Sequence, residues 1–204
     1  EIVSSLTVNG VIDDKKYFWT KGGMKKGDNI LISRSLGTGI IFSAFMNGQV
    51  KPSIFDSVLK EMNKSQHHIV NYINKLEDEN PNSKIINACT DITGFGLLGH
   101  LSEMLESTNN DQLKMNLEPL KVILNLSHIP LYDGVKELLM KGFESTLAPA
   151  NKIFLKNING DKNLRFELIH NDFNSNITDY NTMLRILVDP QTCGPLVVSC
   201  SPIN

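Results

Sequence analysis

One acidic residue stands between a predicted strand and a glycine-rich helix start. Asp91 ends an apolar segment, and Gly94 and Gly96 precede leucines with helical spacing. A carboxylate is a suitable ligand for a hard cation such as Mg²⁺, and the N–H groups at a helix N-terminus favour anions. Thr90 and Thr93 add hydroxyl groups. The pattern suits a magnesium–phosphate site; the alternative is that Asp91 only caps the helix, since aspartate is a favoured N-cap residue.

A second loop bracketed by glycines follows an earlier apolar run. A strand predicted at residues 30–33 leads into Gly37, Thr38 and Gly39. Glycine has no Cβ, so the backbone of such a loop can approach a ligand or another segment closely. We therefore predict that this loop lies in close contact with a ligand or with another segment of the chain.

The composition of the 204 residues excludes several classes of protein. A net charge of −2 gives no reason to expect nucleic acid or an acidic membrane as a partner. The longest apolar stretches, at 39–46 and 196–200, are too short to span a bilayer, and no signal peptide is recognisable. Cys89, Cys193 and Cys200 are widely spaced, which favours free thiols in a reducing compartment, so we expect a cytoplasmic protein.

Strand and helix patterns alternate along the chain. They predict an α/β (α+β) fold with a mixed sheet covered by helices. Ser53 is predicted to cap the first helix, residues 20–29 to form a linker, and residues 156–180 to be mostly an insertion. The predicted strands are 5–12, 30–33, 84–89, 113–117 and 196–200. The predicted helices are 53–62, 69–76, 97–105, one from 119, 135–140 and 183–187.

Four segments resemble motifs of the selenophosphate synthetases (selenide, water dikinases). Residues 33–39 read SRSLGTG, 62–64 read MNK, 90–100 read TDITGFGLLGH and 189–194 read DPQTCG. They follow one another in the order of that family and at plausible intervals. One such segment alone would be suggestive, but four in order make the resemblance specific.

This resemblance implies a fold, a reaction and a metal. The implied fold is that of the C-terminal domain of aminoimidazole ribonucleotide synthetase, which belongs to the same ATP-binding superfamily. The implied enzyme makes selenophosphate, AMP and phosphate from selenide, ATP and water, with Mg²⁺ as cofactor, and Asp91 corresponds to a magnesium ligand. Weaker candidates for the surface around the triphosphate are Gly37, Thr38, Gly39, Thr90 and Gly94.

The resemblance also implies a second domain. We expect residues 1–26 to be the end of an N-terminal domain and a linker, and 27–204 to be the C-terminal domain, shortened at its C-terminal end. The N-terminal domain of the family carries a Cys or selenocysteine nucleophile and most of a homodimer interface. The sequence starts at Glu1 rather than methionine and has no Cys-Gly-Cys-Lys segment. We therefore expect no catalytic nucleophile in this chain and no activity from it alone.

Several residues depart from the family pattern. Arg34 and Ser35 replace a lysine and a proline, and Cys193 and Pro195 replace a serine and a glycine. Proline has no N–H, so a backbone contact at Pro195 is placed in doubt. Two alternatives follow: another enzyme of the superfamily, or a non-catalytic module for dimerisation or partner binding. Phe95, between two glycines, argues against the purine-pathway enzymes.

His100 follows the glycine-rich helix start, at the position of a family histidine. We expect a partly buried side chain with its hydrogen bonds satisfied rather than a catalytic base. The adjacent His67 and His68 have no further ligand at metal-binding spacing, so we predict no metal site there.

Overall fold

The computed structural model describes residues 7–11, 18–81, 84–159, 165–169 and 177–202. Its strands are β1 (Asn29–Ile32), β2 (Ile86–Asp91), β3 (Lys121–Asn125), β4 (Arg165–Ile169) and β5 (Leu196–Cys200). Its α-helices are α1 (Thr38–Met46), α2 (Pro52–Met62), α3 (His67–Glu79), α4 (Gly96–Lys114), α5 (Val135–Met140), α6 (Ala148–Asn151), α7 (Lys156–Asn159) and α8 (Ile177–Val188). Short 3₁₀ turns lie at Leu126–His128 and Lys152–Leu155.

The described strands form two sheets. β5 lies between β1 and β2 and is antiparallel to both, whereas β3 and β4 pair in parallel. Ile32 pairs with Val197, and Asp91 pairs with Leu196. The ends of β1 and β2 therefore meet the start of β5 at one end of the antiparallel sheet. The predicted α/β class with helices and sheets is confirmed, but the described strands form one antiparallel and one parallel sheet instead of the single mixed sheet that was expected.

Helix α4 is the centre of the core. The apolar side chains of its first half are fully buried, and it packs against α8 and β2. α1 and α5 pack on each other, and α5 also contacts α8. The buried apolar positions of α4 recur at helical spacing, which explains why this helix was predictable from the sequence. They are Leu97, Leu98, Leu101, Met104 and Leu105.

The strand predictions near the candidate site are confirmed within two residues. The strands predicted at 30–33 and 84–89 correspond to β1 and β2, and the one at 196–200 is β5. The helices predicted at 53–62 and 69–76 correspond to α2 and α3, and the break between them lies at residues 63–66. The helix at 135–140 is α5, and Gly142 follows it at φ 92°, a conformation common just after helix ends.

The predictions for residues 107–125 are wrong. The helix predicted at 97–105 continues to Lys114, into the strand predicted at 113–117, and the strand lies at β3, where a helix from 119 was expected. The reason is that two of the polar side chains, Thr108 and Asn109, are buried and hydrogen-bonded. Thr108 Oγ1 donates to Met104 O and accepts from the N–H groups of Gly23 and Met24. Asn109 Nδ2 donates to Leu120 O and Asn109 Oδ1 accepts from Leu120 N, just before β3.

Other element predictions also need correction. α1 was not predicted, because its apolar run has no polar face that would reveal a helical period. Ser53 does not cap α2; Lys51 is the N-cap and Pro52 takes the first helical position. Within the predicted insertion, residues 165–169 form β4, and α8 begins at Ile177 rather than near 183. Of the strand predicted at 5–12, residues 7–11 are not in a strand, and the others lie outside the described residues.

Candidate functional site

The first and last of the four motifs are joined by one buried side chain. Gln191 Oε1 accepts hydrogen bonds from Gly37 N at 2.8 Å, Thr38 N at 3.2 Å and Thr38 Oγ1 at 3.1 Å. The backbone N–H of Gln191 donates to Thr93 O at 2.9 Å, in the third motif. Gln191 therefore ties the loop before α1 to the loop after β2.

The predicted close approach at the glycine loop is confirmed, and residues 189–192 are what approaches. A Cβ on Gly39 would lie 2.3 Å from Pro190 O, and Thr192 N donates to Thr38 Oγ1 at 2.9 Å. Gly37 has φ 116° and lies against Val135. The N–H groups of Gly37 and Thr38 are thus used inside the domain. A role beside a triphosphate stays a prediction for these residues.

The remaining motif, residues 62–64, is joined to the other three motif segments through Arg34, and Gln66 adds a second link. The four segments together are called the motif cluster. The Arg34 guanidinium donates to Cys193 O at 3.1 Å and to Lys64 O at 2.9 Å. Gln66 Nε2 donates to Gly194 O at 3.2 Å, and its Oε1 accepts from Ser33 Oγ. The planar guanidinium can bridge two carbonyl groups at fixed angles, which a single ammonium group does less well. All four segments that the sequence singled out therefore converge at one end of the antiparallel sheet.

The replacement at Pro195 is accommodated without an N–H. Pro195 uses its carbonyl, which accepts from Ile92 N at 2.9 Å. Gly194 beside it has no room for a side chain, since a Cβ there would lie 2.0 Å from Ile92 O. Cys193 is exposed and has φ 49°. At Pro195 the observed backbone contact is therefore made by the carbonyl group, as any residue type could make it.

Asp91 is exposed at the end of β2, beside this cluster. It does not cap α4, whose N-cap is Phe95 and has no side-chain cap hydrogen bond. The capping alternative is therefore wrong. Thr90 is buried and its hydroxyl donates to Asp91 O at 3.3 Å, so it faces the backbone.

Asn151, which the sequence did not single out, fixes the loop just before α4. Asn151 is buried, and its Nδ2 donates to Gly94 O at 2.7 Å and to Val188 O at 3.0 Å. No spacing pattern around Asn151 could have indicated this contact. On the other side, a Cβ added to Gly94 meets no atom within 4 Å, so the loop surface at Gly94 is open.

A magnesium ion with bound phosphates fits this donor set in part. Mg²⁺ keeps several waters and takes one or two carboxylates together with substrate phosphates. Asp91 offers one exposed carboxylate, and the 19-residue helix α4 begins nearby without a side-chain cap. Among the described residues, no group of three His, Cys, Asp or Glu side chains could hold a metal alone. The arrangement suits a shared site whose other ligands come from phosphate and from protein outside these residues.

Glycine at position 96 should be essential to the stability of this corner. Gly96 has φ 69°, and a Cβ there would lie 2.7 Å from Val188 C. We expect Gly96→Ala to lower the free energy of unfolding by about 2 kcal/mol, from left-handed strain plus overlap with backbone. Gly94→Ala, two residues away in open space, is the matched control and should change it by less than about 0.5 kcal/mol. Equal effects in urea unfolding would contradict this account.

Asp189 is the most perturbed carboxyl group of the described residues. It is fully buried; its Oδ1 accepts from Ser145 N at 3.0 Å, and its Oδ2 has no hydrogen-bond partner. Burial raises the pKa of Asp189 to about 7, against the lowering effect of the backbone N–H groups of Ser145 and Ile40. The folded protein therefore keeps this carboxyl group protonated well above its ordinary pKa.

The raised pKa predicts that stability falls as pH rises from about 4 to 7. Over that window folded Asp189 retains a proton that the unfolded chain has lost, so unfolding releases a proton. The slope from this group is at most about 1.4 kcal/mol per pH unit and vanishes above pH 7. Thermal melts between pH 5 and 8 should show the fall, and Asp189→Asn should flatten it. An unchanged slope in Asp189→Asn would contradict the assignment.

The chain is similar to a known protein family and to curated members of it. Residues 25–138 match the family described as AIR synthase related protein, C-terminal domain. The selenide, water dikinase of Caldanaerobacter subterraneus subsp. tengcongensis is 30% identical over 96% of this chain and 47% of its own length. That of Treponema denticola is 31% identical over 95% of this chain and 45% of its own length. The chain thus spans about half the length of the curated relatives it matches.

Among solved structures, the thiamine monophosphate kinase of Aquifex aeolicus matches 92% of this chain and 46% of its own chain. The identity is 12% and the TM-score is 0.48.

Within the described part of the chain, no helix is both long enough and apolar enough to cross a membrane.

Proposed function

Because this chain belongs to the AIR synthase related family, whose C-terminal domain it contains, we propose that it is part of an ATP-dependent selenophosphate-forming enzyme. The proposed reaction converts selenide, ATP and water into selenophosphate, AMP and phosphate. The named relatives are selenide, water dikinases. The observation that carries the proposal is the convergence of four motif segments beside the exposed carboxylate of Asp91 and the uncapped start of α4.

In this proposal Asp91 is a ligand of Mg²⁺ and the start of α4 faces phosphate. Bound magnesium would neutralise charge on the phosphoryl oxygens and so assist transfer. The N–H groups at residues 94 and 95 lie at the positive end of the helix dipole, which favours an anion. Gly37, Thr38, Gly39 and Thr90 support this surface mainly by holding its loops.

The other parts of the proposal concern protein beyond this chain. About half of each matched relative lies outside the aligned region. We propose that this remainder carries the nucleophile, further metal ligands and the homodimer interface, as an N-terminal domain preceding about residue 27. We also propose that the enzyme acts in the cytoplasm. The isolated chain should then be inactive.

Product identity tests the proposal against its alternatives. The full protein, with ATP, Mg²⁺ and selenide, should give selenophosphate, AMP and phosphate in equal amounts by ³¹P NMR. Another enzyme of the superfamily would form no selenophosphate under these conditions. A non-catalytic module would consume no ATP. Either of these results would replace the proposed reaction.

A further inference from the structure

A row of polar contacts links the loop after β2 to the segment before β1. Thr93 Oγ1 lies 3.2 Å from His100 Nε2, and His100 Nδ1 lies 3.2 Å from Glu103 Oε2. Glu103 Oε2 also accepts from Lys21 Nζ at 2.9 Å. Both ring nitrogens of His100 are therefore engaged, as the sequence led us to expect, and the row ends at Thr93, two residues after Asp91.

Glu103 decides which nitrogen of His100 carries the proton. Burial acts to raise the pKa of Glu103, but the hydrogen bond and charge of Lys21, together with His100, outweigh it and lower the pKa. Glu103 is thus ionised at neutral pH and can only accept hydrogen bonds. His100 Nδ1–H donates to it, so in the neutral ring Nε2 is an acceptor and the Thr93 hydroxyl must donate.

The His100 ring is fixed in place by aromatic packing. It is 7% exposed, and the ring of Phe95 lies 5.6 Å from it, centroid to centroid. Phe154 packs edge-on against Phe95 at 5.7 Å. Gly99 makes room for both phenylalanines, since a Cβ there would lie 2.5 Å from Phe95 Cβ and 3.0 Å from Phe154 Cε2. A shielded ring with few rotamers can orient its partner hydroxyl group.

We infer that His100 and Glu103 are positioning residues that turn the oxygen lone pairs of Thr93 towards the cation site at Asp91. Asp91 and Thr93 are both exposed, whereas Ile92 between them is fully buried. With its hydrogen given to His100, the Thr93 oxygen offers acceptor capacity only. An acceptor two residues from an exposed carboxylate suits the hydrogens of water bound to a divalent cation. The inference rests on the proposed function for the presence of that cation.

The first test is spectroscopic and needs no turnover. In the full protein with ¹⁵N-labelled histidine, the His100 signals are assigned by their loss in His100→Gln. We expect the Nδ1–H tautomer in the parent protein and a shift towards Nε2–H in Glu103→Ala. Glu106→Ala, exposed one turn further along α4, is the control and should leave the tautomer unchanged. An Nε2–H tautomer in the parent protein would overturn the inference.

The second test measures Mn²⁺ binding in the presence of ATP by electron paramagnetic resonance. Thr93→Val keeps the shape and removes the hydroxyl group, whereas Thr93→Ser restores it. We expect Thr93→Val to weaken Mn²⁺ binding by about 10-fold, the lower end of the effect of losing an outer-shell partner, and Thr93→Ser to bind within about twofold of the parent. Glu103→Ala should resemble Thr93→Val, and Glu106→Ala should resemble the parent protein.

The outcomes separate this inference from the proposed function. Weak binding in Asp91→Asn with normal binding in Thr93→Val would overturn the inference and leave the proposed site intact. Normal binding in Asp91→Asn would remove the proposed site. In that case the His100 tautomer still decides whether the Thr93 hydroxyl is oriented as inferred.

Discussion

In the full protein, Asp91→Asn should reduce selenide-dependent turnover by about 10²–10³-fold, or about 3–4 kcal/mol of barrier height, the scale of losing one group that stabilises transition-state charge. Asparagine keeps the shape of the side chain but removes the anionic charge that a hard cation prefers. The side chain is exposed and does not cap α4, so the fold should not change. The measurement is the rate of AMP formation at saturating ATP and Mg²⁺.

Two comparisons make the Asp91 result specific. Asp56→Asn changes an equally exposed carboxylate on α2 and should leave turnover within about twofold, as expected of a surface change remote from function. Thermal melts should show unchanged stability for both variants. If Asp91→Asn retained full activity, Asp91 would not be a metal ligand, and the exposed carboxylate would have no role in this account.

Removing the side-chain amide of Gln191 should destabilise the protein more than any other single change considered for this cluster. In Gln191→Leu, the N–H groups of Gly37 and Thr38 and the Thr38 hydroxyl lose their common acceptor. These groups are buried, and each unsatisfied buried donor costs about 1–3 kcal/mol. We expect a loss of about 3–5 kcal/mol in the free energy of unfolding, measured in urea.

The matched control for this change is Gln49→Leu. Gln49 is exposed in the loop after α1, so its replacement should change the free energy of unfolding by no more than about 0.5 kcal/mol. Hydrogen exchange adds local detail, because the amide groups of residues 37 and 38 should lose protection in Gln191→Leu. Retained protection there would mean that another group satisfies these donors.

Local sequence patterns were enough to predict the secondary structure around Asp91. The apolar run of β2, the glycines after it and the leucine spacing of α4 each depend on residues close together in the chain. The same holds for the short strand β5. Such patterns reflect burial on one face of a single element, so they can be recognised without tertiary information.

Sequence patterns failed to predict the secondary structure where residues contact another part of the protein instead of solvent. Thr108 and Asn109 look like loop residues, but each is buried and hydrogen-bonded to distant backbone. α1 is apolar on most sides because it lies between other elements, so its helical period was hidden. Polarity alone could not distinguish a buried, satisfied polar residue from an exposed one.

In the candidate site too, some features could be predicted from the sequence and others could not. The motif glycines, Asp91 and their order along the chain could be read directly from the sequence. The acceptor that joins the glycine loop to the last motif could not, because Gln191 lies about 150 residues further along the chain. Asn151 was likewise hidden, since its two carbonyl partners come from different segments. The sequence indicated which residues matter, and the fold determined which of them touch.

The decisive measurement for the proposed reaction is selenide-dependent AMP formation from ATP and Mg²⁺, compared between the full protein and this 204-residue chain. We expect AMP from the full protein only, and no AMP when selenide is omitted. A folded full protein that forms no AMP with selenide would contradict the proposed reaction. AMP formation by the 204-residue chain alone would contradict the proposal that the nucleophile lies outside it.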